Sequence, residues 1–309
     1  MKTIRLGGAA PLAAPVVALG CMHLCELDEA GASRLIHSAL ELGVNYFDHA
    51  DIYHAGACEA LFGQVLAAEP ALRDKLLLQT KCGIVPGTMY DWSREHILSS
   101  VEQSLARLHT DHLDVLLMHR PDALWEPEEV AEAFTRLRQS GKVLRFGVSN
   151  QNPAQMALFR QFLGEEPVAD QLQFSLANAG LVQAGLEVNM VTPGAVNRDG
   201  GALDYCRLHG ITVQAWSPFK YHTETERGVF IGSDRYPALN TALAEVAEAH
   251  GVSPTTAAAA WLLRLPAGVQ VMAGTTKPAR LAEICAAADV TLTRQEWYKL
   301  YLAAGHILP

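Results

Sequence analysis

From Val16 onward, short runs rich in valine, leucine and isoleucine alternate with longer segments whose apolar residues recur every three to four positions. The short runs cover residues 16–19, 44–48, 76–80, 113–118, 144–149, 169–173, 212–216 and 269–273, eight in all. Several are almost wholly apolar, the pattern of parallel strands buried on both faces. Between them, Leu35, Ile36, Ala39 and Leu40 form one stripe before Gly43, and Val130, Ala133, Phe134 and Leu137 another before Gly141. Ile97, Leu98, Val101, Leu105 and Leu108 form a third. Both glycines suit helix C-terminal caps, and Ser253 with Pro254 reads as the N-cap and first-turn proline of a helix through Leu263.

Eight strand–helix units predict one domain over residues 1–309, a (β/α)8 TIM barrel with residues 1–15 as a hairpin closing its bottom. The competing architecture is an open doubly wound sheet, but no G-x-G-x-x-G follows the first strand. Three longer connections, 82–93, 174–200 and 218–237, all follow strands. In a barrel such loops lie on the C-terminal face, where the active site is built, and are expected to wall it; for any single loop, drift on a tolerant surface is the alternative.

Composition narrows the function classes. Half of the residues are hydrophobic and 18% charged, as in a globular protein. A net charge of -9 with scattered basic residues argues against a duplex nucleic-acid surface, because phosphate binding needs a basic face. Cysteines 21, 25, 58, 82, 206 and 285 show no C-x-x-C spacing, so neither a zinc knuckle nor a disulfide framework is expected, and the thiols read as reduced and cytosolic. Lys2 and Arg5 before an apolar stretch ending in Leu19, Gly20 and Cys21 look superficially like a lipoprotein signal. Gly7, Gly8, Pro11 and Pro15 interrupt that stretch, and no segment is apolar enough to span a bilayer, so a cytoplasmic protein with no membrane partner is expected.

Polar residues close these strands repeatedly: Asp48, Lys81 and His119 end three in succession, followed by Ser149 with Asn150, Gln171, Trp216 with Ser217, and Thr275 with Thr276. Singly, Asp48 reads as a helix cap, Lys81 as a snorkelling side chain and His119 as a hydrogen-bonded core histidine. Together, with Tyr53 just beyond the first, they point to catalysis, because burying such groups at one end of a barrel is costly. A phenol with a pKa of about 10 donates a proton poorly at neutral pH unless a cation stabilises its phenolate. Lys81 supplies that cation, Asp48 keeps it charged, and His119 is placed to orient a substrate oxygen.

At these residues the sequence resembles the aldo-keto reductase superfamily along nearly its whole length, through Asp48-His49-Ala50-Asp51-Ile52-Tyr53, Thr80-Lys81-Cys82-Gly83, His119-Arg120-Pro121-Asp122, Ser140-Gly141-Lys142-Val143, Gly147-Val148-Ser149-Asn150 and Trp216-Ser217-Pro218. The resemblance implies a barrel that binds NADPH across its C-terminal face and passes hydride to an aldehyde or ketone, with Tyr53 protonating the nascent alkoxide. Asp48, Tyr53, Lys81 and His119 match the family's catalytic tetrad. Ser149, Asn150 and Gln171 match the carboxamide-holding residues, Trp216 the aromatic that stacks on nicotinamide, and Ser217 a diphosphate contact. Gly20, Cys21 and Met22 fall where the family lines the ribose. Thr275, Thr276, Lys277 and Arg280 resemble the 2′-phosphate site, where hydroxyls, helix-start amides and two cations favour a dianion.

The chain departs from the pattern at Ile284, where many relatives carry an adenine-contacting asparagine, at Gln173, where glutamate is frequent, and at Phe219-Lys220-Tyr221-His222, which replaces a glycine-rich continuation. Met22, Trp92, Trp125, Phe219 and Tyr221 are candidate walls of a substrate pocket or loop anchors. Family resemblance implies a monomer acting on a small carbonyl compound, with no metal. Two other functions compete: a cofactor-sensing partner protein with little turnover, and a metal-dependent hydrolase using His49, Asp51, His54 and His119.

Overall fold

The computed structural model describes residues 1–7 and 11–308; Gly8 of the expected hairpin turn and Pro309 lie outside the described residues. The chain opens with β1 (Thr3–Leu6), β2 (Leu12–Pro15) and β3 (Val17–Gly20), followed by β4 (Tyr46–Asp48), β5 (Leu77–Cys82), β6 (Ile84–Val85) and β7 (Met89–Tyr90). Next come β8 (Val115–Met118), β9 (Phe146–Ser149), β10 (Ala169–Gln173), β11 (Thr212–Trp216), β12 (Lys220–His222), β13 (Arg227–Val229) and β14 (Val269–Ala273). β3, β4, β5, β8, β9, β10, β11 and β14 close into one parallel barrel in that order, the eight-stranded architecture expected from the sequence.

Alternation along β5 shows how the strands serve two layers. Leu78 and Cys82 join the large apolar layer between barrel and helices, which also holds Leu35, Ile36 and Ala39 of the helix Glu29–Glu41. Gln79 and Lys81 belong to the opposite set and bond across the barrel interior. The caps form as read: Gly43 and Gly141 follow their helices with φ of 78° and 73°, and the Ser253 side chain accepts from the Thr256 amide.

β1 and β2 pair antiparallel, with Ile4 opposite Ala14. Leu6 and Ala14 are fully buried among Tyr46, Val115, Leu117, Ala169 and Met272 of the barrel strands. The loops after strands contain structure that periodicity did not reveal. Residues 82–93 include the β6–β7 hairpin, 174–200 the helix Gly180–Leu186, and 218–237 the β12–β13 hairpin. Each piece is too short to carry a detectable period. Among the described residues no helix is long and apolar enough to cross a membrane.

Candidate active site

β4 and β5 run side by side with Asp48 opposite Gln79, which brings the carboxylate and the Lys81 side chain to the same place at the C-terminal end of the barrel. Lys81 is fully buried and its Nζ lies 2.7 and 2.8 Å from the two Asp48 oxygens, 2.8 Å from the His49 carbonyl and 3.2 Å from the Tyr53 hydroxyl. An ammonium has three protons. Asp48, His49 and Tyr53 take them all, so the phenol oxygen accepts from Lys81 and its own proton is free to point into the cavity. Tyr53 sits in a turn, Tyr53–Gly56, that leaves β4 after Asp51 N–H bonds the Lys81 carbonyl. The His119 and Tyr53 rings stand nearly perpendicular with centroids 6.0 Å apart.

Burial shapes the charge states. It pulls Lys81 down, but Asp48 and Tyr53 outweigh it and the ammonium ends above its ordinary range. Burial, Lys81 and Arg120 lower His119 to about 3, so its imidazole is neutral at physiological pH. The sequence reading expected Lys81 to make the phenol acidic. In the fold, burial has the larger effect and Tyr53 lies above the usual tyrosine value of 10.0, with Lys81 pulling it back and Asp48 pushing it up. Lys81 therefore limits the rise rather than producing a net drop, and Tyr53 stays a protonated donor at neutral pH.

Under these groups runs a chain of buried amides that the sequence reading missed. Gln79 donates to Asp48 (2.6 Å) and to Gln214 (3.0 Å) and accepts from Tyr46 (2.7 Å). Gln214 donates in turn to Gln270 (2.9 Å), and Gln270 to the Pro15 carbonyl (2.7 Å). The available signal was a polar residue at the interior-facing position of three apolar strands, two residues before Lys81 in the first case. The chain adds a second donor to Asp48 Oδ1, the oxygen that Lys81 also holds.

A cavity of about 370 Å³ opens above this group. Of the residues expected to bind cofactor, Gly20, Met22, Ser149, Asn150, Gln171, Trp216, Ser217, Thr275 and Arg280 line it, together with Asp48, Tyr53 and His119. Cys21, Thr276 and Lys277 do not: Cys21 is buried and bonds the Leu19 carbonyl, and Lys277 is turned out to solvent. Asn150 donates to Ser149 Oγ (2.7 Å) and accepts from Trp216 Nε1 (3.2 Å), locking one wall of amides beside an indole. Asn150 and Ser217 hold left-handed backbone, φ 59° and 52°, where the strands turn away from that wall.

The substrate-side expectations divide. Met22 and Phe219 line the cavity, but Trp92 and Trp125 pack on each other, and Tyr221 packs on Tyr236 under Arg235. His23, Arg120, Lys220, Val229, Ile231 and Ile284 line it without having been singled out for that role. Gln173 bonds His222, whose ring meets the Trp216 edge. The hydrolase residues are not brought together: His49 is fully buried against Phe62, with rings 4.7 Å apart, and is lowered to about 3 by burial and Lys81.

Comparison with known proteins gives a consistent result. The aldo/keto reductase family model matches residues 16–301. A 6-dehydroglucose reductase of Novosphingobium aromaticivorans is 38% identical over 311 residues, covering 98% of this chain and 96% of that protein. The oxidoreductase YcsN of Bacillus subtilis, itself uncharacterized, is 35% identical over the full length of both. The crystal structure of the thermostable aldo-keto reductase Tm1743 with the inhibitor epalrestat aligns with a TM-score of 0.77 at 24% identity, over 98% of this chain and 100% of that one.

Proposed function

The chain belongs to the aldo/keto reductase family, and from that premise we propose that it is an NADPH-dependent reductase of hydroxylated ketones or aldehydes, with Tyr53 as proton donor. The observation that carries this reading is the four-point hold on Lys81 at the floor of the cavity, which leaves the phenol proton facing inward.

The lining fits a nicotinamide dinucleotide. Ser149, Asn150 and Gln171 offer amide and hydroxyl groups beside the flat Trp216 ring, suited to a carboxamide-bearing heterocycle, and Thr275 with exposed Arg280 suits a phosphate at the far end. Bound there, NADPH supplies the hydride. The protein's part is to orient the carbonyl and move the proton. Neutral His119 donates a hydrogen bond to the substrate oxygen without releasing its proton, Tyr53 gives its proton to the oxygen as charge develops, and Lys81 then stabilises the phenolate. Asp48 and Gln79 position Lys81. His23, Arg120 and Lys220 add hydrogen-bond donors to a wall otherwise built from Met22, Phe219, Val229 and Ile231, which suits a substrate with hydroxyls on an apolar carbon frame. The sugar-derived substrate named for the Novosphingobium relative is of that class. The working form is a monomer in the cytoplasm.

The test is an assay following NADPH absorbance with a panel from simple aldehydes to keto sugars, repeated with NADH. NADPH oxidation that is faster with hydroxylated ketones is the expected outcome. Tight NADPH binding with negligible turnover across the panel overturns the reading in favour of a cofactor-sensing partner protein. Arg280→Ala should raise the KM for NADPH roughly tenfold, about 1.4 kcal/mol, by removing one charge-assisted contact, and leave the KM for NADH unchanged.

The pH profile follows from the two groups facing the substrate. His119 is already neutral above about 3, so it gives no inflection between pH 5 and 8. Reduction needs protonated Tyr53, and burial raises its pKa, so no loss of rate is expected near neutrality and the alkaline decline should have its midpoint above the usual tyrosine value of 10.0. Steady-state kcat measured from pH 5 to 10.5 checks this; a fall centred near neutrality contradicts the assignment.

A further inference from the structure

Beside the cavity, the fold brings Cys25 against His54 and Cys58, which lie four positions apart in the sequence. Cys25 lies in the short turn Leu24–Glu26 after β3, Cys58 in the first turn of the helix Ala57–Ala68, and His54 in the turn that carries Tyr53. Their ligand atoms all lie within 4.8 Å of one another, and the two sulfurs are 3.1 Å apart. We propose that Cys25, Cys58 and His54 bind a divalent cation of the zinc type, with water completing a four-coordinate site.

The donor set suits such an ion: two thiolates and one imidazole are soft-to-borderline ligands, and two thiolates cancel the ion's charge where Cys58 is buried. A tetrahedral ion with metal–sulfur bonds of about 2.3 Å spaces its sulfurs about 3.8 Å apart, a small opening of the present pair. The backbone is arranged to aim the imidazole. His54 and Ala55 are consecutive non-glycine residues in the left-handed region, φ 47° and 54°, an uncommon conformation that carries a strain cost. Gly56 follows at φ 89°, where a side chain would meet Arg107 at 2.8 Å. His54 is exposed, which opens a route for the ion, and a disulfide between the two cysteines would make no use of it.

The position gives the site a consequence. Cys58 Sγ already bonds the Met22 carbonyl at 3.2 Å, and Met22 and His23 line the cavity. An ion held by Cys25, Cys58 and His54 therefore clips the loop bearing Met22 and His23 to the turn bearing Tyr53. This role is independent of which carbonyl compound the cavity accepts.

The experiment uses the full chain, reduced and freed of metal, titrated with zinc under native mass spectrometry and with cobalt(II) as an optical probe. One zinc per chain, a thiolate-to-cobalt charge-transfer band and a raised melting temperature on zinc addition support the site. Cys25→Ser and Cys58→Ser should abolish the band, and exposed His54→Gln, which leaves both thiols in place, should weaken zinc binding at least about tenfold. Stoichiometric zinc binding that persists unchanged in all three variants, or no zinc retained by the reduced chain, overturns the proposal. So does a Cys25–Cys58 disulfide forming in air while the reduced protein binds no ion.

Discussion

Tyr53→Phe is expected to lower kcat for carbonyl reduction by about 10² to 10⁴ while the dissociation constant for NADPH changes little. The ring stays and only the hydroxyl leaves, so the perpendicular packing on His119 and the cavity walls are retained. Lys81 keeps its bonds to both Asp48 oxygens and to the His49 carbonyl, and folding should be close to unaffected. What disappears is the proton that is transferred to the substrate oxygen; the hydrogen bond from His119 remains. Cofactor binding by fluorescence titration, beside steady-state rates, separates the two effects. A variant with full activity would move the acid role to another group, and a variant that no longer binds NADPH would mean the hydroxyl shapes the cleft instead.

The second large effect concerns the ion pair beneath. Lys81→Met leaves the Asp48 carboxylate, 3% exposed, without its cation. Breaking a buried pair by removing one partner costs about 3–5 kcal/mol, since a charge is then stranded in a medium that solvates it poorly. At roughly 2 °C of melting temperature per kcal/mol in a chain of this size, the loss is plainly measurable by thermal unfolding. Adding Asp48→Asn removes the stranded charge and keeps an amide that Gln79 can still bond, so the double variant should regain most of the stability. Activity should not return, because nothing then stabilises the phenolate. Recovery of stability together with activity would show that the pair serves folding alone.

These two predictions rest on different parts of the sequence. The barrel was legible because each strand reads as a short apolar run and each helix as a stripe, and the eight runs coincide with the eight barrel strands to within a few residues. Asp48, Lys81 and His119 stood out because a charged or titratable group at the end of an apolar run has no cheap bland explanation when it recurs three times. Gln79, Gln214 and Gln270 were passed over because uncharged amides inside a strand look like ordinary polar positions; only the closure of the barrel turns them inward to meet one another. The same limit explains Cys25, His54 and Cys58. His54 and Cys58 are four positions apart, but Cys25 reaches them only because the turn after β3 folds against the turn and helix after β4, and no local spacing encodes that. The direction of the Tyr53 shift was also beyond the sequence, since it depends on how completely the phenol is buried relative to its distance from Lys81.

The most direct measurement uses NADPH carrying deuterium at the transferable position of nicotinamide, incubated with a hydroxylated ketone that the enzyme consumes. A product alcohol one mass unit heavier, with the deuterium on the former carbonyl carbon and one NADPH oxidised per alcohol formed, is the predicted result. Alcohol without deuterium, or NADPH bound but never oxidised with any ketone or aldehyde, would contradict hydride transfer in this cavity.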